Sequence, residues 1–555
     1  VIDKEFKNEL AFNIFKAKYA VNPYETWRER SGAIVDAVCG SVNGTTTPLM
    51  AKDDRDYLTK VISEKKFMPG GRYIYYSGRT AKFYNNCYLL KLEEDTREAW
   101  SEVTQRAMAC LMTGGGIGTD VSIARPSGRP LSRTGGVSSG PIPLLHCINE
   151  VGRNVMQGGS RRSAMYGSLN WQHGDADLFL KVKNWDEQKV GVDDLTFSDL
   201  KRGDINNPAP LDMTNISLNY DDNFLTAIQS GNLPTTFITN CHQALMHGEP
   251  GFSFNFGDKQ NETLRNACTE ITSEDDSDVC NLGSINLAAI DTIEEFRDVV
   301  RVSSKFLVCG TLRADLPYPK VSEVRERNRR LGLGLMGLHE WLLKRGYKYE
   351  INEELTKWLE VYKEESERSA NKHCDRFYLQ RPKGYRAIAP TGTISILAAT
   401  TSGIEPIYAV AYKRRYLRDG TRSHYEFVID ATAEGLIQEG GIKPDKIETA
   451  ADLAADPERR IKMQWELQKY VDHGISSTLN LPAWGSELNN EDKVEGFAKL
   501  VAKYAAGLRG LTFYPDGSRG GQPITAVPYE EAHGKRGVVF QDNSEEQCLT
   551  GVCGI

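Results

Sequence analysis

Between a turn at Pro69-Gly70-Gly71 and about residue 535, short apolar or alternating stretches suited to strands alternate with longer segments of helical spacing. That alternation constrains the fold more than any other feature. It calls for an α/β architecture with a largely parallel sheet or barrel. Strands are expected at Cys87–Leu92, Thr235–Thr239, Gly251–Asn255 and Val279–Leu287. A helix over about 96–112 would start at Asp95 with Glu98 three residues on, a capping-box arrangement. Another over Pro143–Gln157 puts Leu144, Leu145, Ile148, Val151 and Val155 on one face. Residues 1–65 read as a helical region, with Phe6, Leu10, Ile14 and Phe15 at helical spacing. Residues 536–555 read as a polar tail ending Cys548-Leu-Thr-Gly-Val-Cys553-Gly-Ile, which divides the chain into 1–65, 66–535 and 536–555.

Composition narrows the class. With 40% hydrophobic and 26% charged residues in 555, the chain has the balance of a folded protein, not of a disordered or collagen-like one. No apolar run approaches the ~18 residues a membrane helix needs, and the first residues lack a secretory pattern. Lys+Arg 68 against Asp+Glu 75 leaves a net charge of −7, which argues against a dedicated nucleic-acid binder. A small phosphorylated ligand needs only a local positive pocket. The 11 Cys are too sparse for a disulfide scaffold and suit a reducing, cytoplasmic setting.

Three glycine-rich segments stand out. Gly332-Leu-Gly334-Leu-Met-Gly337 matches the dinucleotide fingerprint, but it follows the charged run Arg325–Arg330 instead of a strand. A tightly packed helix whose glycines admit a neighbour is the expectation there. Gly114–Gly118 suits either a ligand loop or a packing turn. Pro390-Thr391-Gly392-Thr393-Ile394-Ser395 precedes an apolar stretch and can present backbone N–H groups to a phosphate, or be an ordinary helix cap. Gln157-Gly158-Gly159-Ser160-Arg161-Arg162 adds a loop with two cations.

The cysteines sort into two kinds. Cys39, Cys110, Cys147, Cys241, Cys309 and Cys374 lie in apolar or helical segments, where Cys acts as a small hydrophobe. Cys87, Cys268, Cys280, Cys548 and Cys553 lie in polar or turn-rich settings. In an extended segment, residues two apart share a face, so Asn266, Cys268 and Glu270 would converge on one ligand. A structural zinc site is disfavoured because no C-x-x-C pair exists. A Cys–His hydrolase would use Cys268 and leave the other four thiols unexplained.

From about Pro69 to Pro528, the ordered landmarks resemble the large catalytic chain of ribonucleotide reductase. They include Asn86-Cys87, Gly114–Gly118 with Arg125-Pro126, Gln157–Arg162, Asn215–Leu218 and Asn266-x-Cys268-x-Glu270. Cys280–Ser284, Pro390–Ser395, Ser402–Pro406 and Leu511–Arg519 complete the series. The resemblance implies a ten-stranded α/β barrel with Cys268 on a central finger loop. It implies Cys268 as a thiyl radical that removes and returns the ribose 3′-hydrogen. Glu270 would be the base at the 3′-hydroxyl, Asn266 would hold the sugar, and Cys87 and Cys280 would be the reducing pair. Cys548 and Cys553 would pass electrons from a thioredoxin- or glutaredoxin-like donor. Pro390–Ser395 would receive substrate phosphate, with Asn86, Gly115 and Gly116 lining the substrate site. Gln157–Arg162 would link the substrate base, through Arg161, to a dNTP effector near Asp95 and Arg125. No resident protein-bound metal site is implied, and the chain would act as a monomer or a homodimer.

The family divides by radical source. Phe513-Tyr514 stands where subunit-dependent members carry two adjacent tyrosines, and the Tyr-Pro-Asp-Gly-Ser-Arg run resembles the adenosylcobalamin-dependent class. Adenosylcobalamin is therefore the expected cofactor. The alternatives are a large subunit of the two-subunit class and a non-catalytic nucleotide-binding regulator of the same fold. The motif Asn-Ala-Cys-Thr-Glu departs from the Pro and Gly usual at its intervening positions. The N-terminal 65 residues are too short for an ATP-binding cone, so specificity regulation without dATP shut-off is expected.

Overall fold

The computed structural model describes residues 5–41, 47–155, 164–191, 194–204, 206–418, 422–518, 524–535 and 539–540. Its strands are β1 (Phe67–Pro69), β2 (Cys87–Lys91), β3 (Gly116–Asp120), β4 (Met165–Asn170), β5 (Thr214–Tyr220) and β6 (Gly251–Phe254). A short hairpin, β7 (Leu264–Arg265) and β8 (Thr272–Ser273), precedes β9 (Asp278–Asn286) and β10 (Leu331–Met336). Later come β11 (Ala411–Arg418), β12 (Arg422–Ile429), β13 (Thr478–Leu481), β14 (Gly510–Pro515), β15 (Ile524–Val527) and β16 (Val539–Phe540).

The main sheet has 10 strands in the order β1-β9-β2-β3-β4-β5-β6-β14-β13, with β10 also paired to β9. Strands β2 to β6 are mutually parallel. So are β13 with β14 and β9 with β10. The two parallel sets meet antiparallel at β2–β9 and at β6–β14. Residues 385–388 link the sheet's ends: Leu333 bridges Arg386, and Ile388 bridges Ile475 on the segment that leads into β13. Hydrogen bonds from Leu333 N to Tyr385 O (3.0 Å) and from Ser476 N to Ile388 O (2.8 Å) carry the ladder round. The α/β expectation thus holds for the sheet, with β1 pairing antiparallel to β9 and 385–388 bridging toward both ends. Strands β11, β12, β15 and β16 form a separate 4-stranded sheet.

Alternation along the strands divides the two faces. Ile117, Met165, Ile216, Leu218 and Phe252 point outward into a core shared with Val103, Leu145 and Phe237 of the surrounding helices. The alternate positions Gly118, Tyr166, Asn215, Ser217 and Ser253 turn to the opposite face, toward the interior. On the other side, Trp27, Ile34 and Val38 of the helix Trp27–Cys39 share a core with Phe306, Leu335 and Trp341. The N-terminal helices therefore pack directly on the outside of the barrel.

Several local expectations are corrected. Thr235–Thr239 is the first turn of a helix, Thr235–His247, not a strand. Its β-branched opening imitates a strand, but Phe237, Cys241, Ala244 and Leu245 bury one helical face. Asp95 does not cap the next helix. Thr96 does, accepting from Ala99 N, and the helix runs Arg97–Met112. The glycine fingerprint at 332–337 is neither nucleotide loop nor helix but the buried strand β10, followed by Gly337 at φ +71°. A Cβ on Gly334 would lie 2.6 Å from the Ala387 carbonyl oxygen, so this glycine admits the linking segment 385–388. Within the segment expected to be a tail, Val539–Phe540 instead form a short edge strand, β16, paired with β12 through Tyr425–Phe540.

Gly118 is the tightest position in the barrel. A Cβ there would sit 1.6 Å from the Arg265 carbonyl oxygen, where the β7–β8 hairpin crosses β3. Gly118→Ala should therefore displace the hairpin and lower stability by about 3 kcal/mol in urea unfolding. Gly496→Ala, on an exposed helical turn with no atom near its added methyl, should instead raise stability by up to about 1 kcal/mol.

Candidate active site

The β7–β8 hairpin carries the Asn266–Glu270 motif across the barrel interior. Asn266 is not in an extended segment: Thr269 N donates to Asn266 O at 2.9 Å, closing a tight turn, with Thr269 at φ +69°. The two-residue alternation expected from spacing is therefore replaced by a turn that exposes Cys268 at its tip. Cys268 is half-buried, whereas Asn266 and Glu270 are buried. Neighbouring strands fix the turn through its backbone. Asn215 Nδ2 donates to Ala267 O at 3.2 Å, and Gly474 N donates to Glu270 O at 2.7 Å. A Cβ on Gly474 would meet Thr269 O at 2.5 Å, so glycine is required for that approach.

The side chains form one connected group. The Asn266 amide is fully engaged: Oδ1 accepts from Ile271 N at 2.9 Å, and Nδ2 donates to Cys87 Sγ at 3.3 Å. Asn266 also favours the charged form of the Glu270 carboxyl. Burial pushes that carboxyl up to about 7, against the downward pull of Asn266 and a backbone N–H. Glu270 Oε2 is buried with no partner among the described residues. A carboxyl half ionised near neutral pH with a spare lone pair is equipped to exchange a proton with a ligand. Cys87 opens β2 and stands opposite Cys280 of β9 in the antiparallel register. The structure thus brings Cys87, Asn266, Cys268 and Glu270 together, with Cys280 cross-strand from Cys87.

The other predicted residues lie around this group or outside the described residues. Asn86 O accepts from Gly116 N at 2.9 Å, and Asn86 Oδ1 is buried without a partner among the described residues. A Cβ on Gly116 would lie 3.0 Å from the Ala164 carbonyl oxygen and 3.5 Å from Cys87 Sγ, and one on Gly115 would strike the Tyr88 ring at 2.5 Å. These glycines are therefore needed for packing as well as for any approach by a ligand. Thr391 stands at φ +56° as the N-cap of the short helix Gly392–Ala398, with Pro390 and Gly392 exposed, Thr393 half-buried, and Ile394 and Ser395 buried. Thr391 Oγ1 accepts from Gly403 N at 2.8 Å, and Ser395 Oγ shares a 2.8 Å hydrogen bond with Ser402 Oγ. Asp95 and Arg125 pair with each other at 2.5 Å, with Trp100 Nε1 donating to Asp95 at 3.1 Å. Gln157–Arg162, Cys548 and Cys553 lie outside the described residues. Among the described residues, no group of three or more His, Cys, Asp or Glu side chains could hold a metal ion.

Sequence reasoning missed the supports under the motif. Arg265 is buried, donating to Asn255 Oδ1 (2.8 Å), Glu262 O and Arg509 O (3.1 Å). Burial and the neighbouring Arg509 pull its guanidinium down to about 9. His473 Nδ1 lies 3.1 Å from the Thr272 hydroxyl oxygen, and burial pushes its imidazole down to about 3. A charged residue immediately before a buried motif was the available signal for Arg265. Nothing local marked His473, which arrives from far along the chain.

Two sets of parallel strands surround a hairpin that carries a thiol into the barrel, the architecture of an α/β barrel with its candidate site inside. A family model described as "Ribonucleotide reductase, barrel domain" matches residues 85–259, 255–364 and 383–514, and the chain belongs to that family. It is 28% identical over 529 residues to a vitamin B12-dependent ribonucleoside-diphosphate reductase of Mycobacterium tuberculosis, covering 83% of this chain and 72% of the relative. A vitamin B12-dependent ribonucleoside-diphosphate reductase of Thermoplasma acidophilum is 25% identical over 531 residues, covering 84% of this chain and 66% of that one. Among solved structures, the class Id ribonucleotide reductase alpha subunit of Actinobacillus ureae superposes with a TM-score of 0.70 at 18% identity, covering 92% of this chain and 98% of that one. That likeness bears on the fold.

The raised Glu270 carboxyl sets a stability signature. Its folded-state value of about 7 exceeds its ordinary 4.5, so the buried group is tolerated when protonated, and the penalty grows as pH rises through about 7. Glu270→Gln should match the parent near pH 4.5 and exceed it above pH 7.5, by about 3 kcal/mol. Urea unfolding at pH 4.5 and pH 8 reads the difference. A pH-independent gap would mean the carboxyl titrates normally.

Proposed function

We propose that this chain reduces ribonucleoside di- or triphosphates to 2′-deoxyribonucleotides by thiyl-radical chemistry with adenosylcobalamin as radical source. The observation that carries the reading is the connected group of Cys87, Asn266 and Glu270 directly beneath the Cys268 turn. Non-radical chemistry has no easy way to expel hydroxide from the 2′-carbon, and this group supplies each part a radical route needs. Cys268 removes the 3′-hydrogen and later returns it. Glu270 takes the 3′-hydroxyl proton on its unpartnered oxygen, which helps the 2′-hydroxyl leave as water. Asn266 holds Glu270 and Cys87 in register with the sugar. Cys87 and Cys280 give up two electrons and close to a disulfide, which Cys548 and Cys553 reopen by exchange with a thioredoxin- or glutaredoxin-like donor.

The residues present fit the cofactor at the one point where its chemistry must reach the protein. Cys268 is half-buried at a turn tip while the groups behind it are buried, so its thiol can be approached from one side. When bound, adenosylcobalamin supplies an organic radical by homolysis of its cobalt–carbon bond. Support for this class comes from the vitamin B12-dependent relatives and from Phe513-Tyr514 in place of paired tyrosines. Substrate phosphates would rest on the backbone N–H groups at Gly392–Ile394. A dNTP effector would bind near Asp95 and Arg125, with Gln157–Arg162 reporting its identity to the substrate base. A cytoplasmic location suits the thiol chemistry. Among the described residues no helix is long and apolar enough to cross a membrane.

Anaerobic turnover of the four ribonucleotides by this chain alone, with adenosylcobalamin and a small dithiol, tests the proposal. Deoxyribonucleotide should form only with the cofactor. Cys268→Ser should lower turnover at least about 1,000-fold while leaving dNTP binding intact. Activity that instead required a second, metal-containing protein would establish the two-subunit class.

A further inference from the structure

Asn215 is an exposed residue of β5 between the buried Thr214 and Ile216. Its Nδ2 donates to the Ala267 carbonyl oxygen at 3.2 Å, one residue before Cys268. The thiol's position therefore depends on where β5 holds this one amide. On the β4 side, Asn215 stands opposite Tyr166 in the ladder. On the β6 side, the ladder begins only with Ser217 opposite Gly251. It cannot begin sooner, because Pro250 has no N–H to donate, and its carbonyl oxygen is taken by Asn240 Nδ2 at 2.7 Å.

A buried ion pair fills that gap. Alternate residues of a strand turn their backbone groups to the same neighbour, so Thr214 and Ile216 both address the side where β6 has not yet begun. Glu249 Oε1 accepts from Ile216 N at 3.1 Å, and Lys183 Nζ donates to Thr214 O at 3.0 Å. The Lys183 and Glu249 side chains pair at 2.6 Å and are 9% and 7% exposed. Thr214 Oγ1 donates to Asn149 Oδ1 at 2.9 Å, which also accepts from Met213 N at 3.0 Å. Both neighbours of Asn215 are thus gripped by polar side chains. Two buried charges are a costly way to close a strand edge. An apolar pair, however, would leave the Ile216 N–H and the Thr214 carbonyl buried and unmet.

We infer that Asn215 aims the Cys268 thiol, and that Lys183 and Glu249 are positioning residues that act through it. The inference rests on the reading that Cys268 is the reacting thiol. The ion pair stands in for two missing backbone partners, so β5 keeps one register at residues 214–216. Asn215 passes that register to the Ala267 carbonyl, and with it to the turn.

Alkylation of the folded full chain, mapped by mass spectrometry, reads the turn directly. In Asn215→Ala the turn loses a tether, and Cys268 should label about 10-fold faster. Exposed Cys147 should keep its rate, with buried Cys110 and Cys241 unlabelled. Turnover with adenosylcobalamin and a dithiol should show kcat lowered about 100-fold, as misplacement by about 1 Å can cause, with KM within about twofold. Glu249→Ala should change labelling and kcat in the same direction. Lys183→Met combined with Glu249→Gln removes both charges but keeps an acceptor for the Ile216 N–H, and should bring Cys268 labelling back toward the parent rate. Equal Cys268 labelling in the parent and Asn215→Ala would overturn the inference. So would faster labelling matched at Cys110 and Cys241, which would mean general loosening. A parent chain that makes no deoxyribonucleotide would sink the proposed function instead, and the labelling alone would then decide whether Asn215 holds the turn.

Discussion

Charge buried at the base of the β7–β8 hairpin holds the turn that carries Cys268. Glu262 pairs with Arg330 at 3.2 Å and Arg509 at 3.0 Å, and Arg330 also pairs with Asp278 at 2.8 Å. Burial works to raise Glu262, but Arg509 and Arg330 hold its carboxyl well below the usual range. Asp278 accepts further hydrogen bonds from Ser273 (2.6 Å) and Asn328 (2.8 Å), tying β8 to β9. Ions this deep are tolerated only when every partner is present, and removing one typically costs about 3–5 kcal/mol. Such a cluster adds little net stability compared with an apolar core. It does fix one position for the hairpin, because a shifted hairpin would strand a charge.

From that base the constraint passes upward through polar contacts. Thr263 Oγ1 donates to Asp120 at 2.5 Å on the end of β3, and Arg265 reaches across to Asn255 and the Arg509 carbonyl. Thr272 joins Glu262 to His473, whose neighbour Gly474 holds the Glu270 carbonyl. The interior therefore positions the motif with directional bonds beside a small apolar cluster in which Leu264 and Ile271 meet Leu89, Leu282 and Ala387. Glu270 Oε2, at the motif itself, is a buried oxygen without a partner among the described residues. That orphan marks the place where a ligand completes the network.

Much of this was legible in the sequence, though not always for the right reason. Asn266, Cys268 and Glu270 could be picked out by spacing and chemistry, yet the structure joins them by a turn instead of strand alternation. The α/β alternation was readable because outward strand positions such as Ile117 and Met165 are apolar. The parallel-to-antiparallel switches at β2–β9 and β6–β14 were not, because pairing between distant segments leaves no local trace. The family resemblance implied Cys87 and Cys280 as a pair, and strand register sets them opposite one another. At 332–337 the glycine pattern was correctly refused as a nucleotide loop but assigned to a helix, since β10 is buried on both faces and shows no alternation. His473, Gly474 and Arg509 act on the motif from the far end of the chain, beyond the reach of any window.

Thr269 shows how the support bears on the motif's unusual wording. The segment reads Asn-Ala-Cys-Thr-Glu, and Thr269 takes the left-handed conformation that glycine adopts without strain. For a β-branched residue this costs on the order of 1–2 kcal/mol. Relaxing it would break the 2.9 Å turn bond to Asn266 O and disturb the adjoining 2.7 Å bond from Gly474 N to Glu270 O. Those bonds are held in turn by the ionic base and by Asn215, so the strain persists where it arises, one residue from Cys268. The thiol's position is therefore set by strands that surround the turn more than by the turn's own preference. That is how a threonine at position 269 is compatible with the arrangement of Asn266, Glu270 and Cys87.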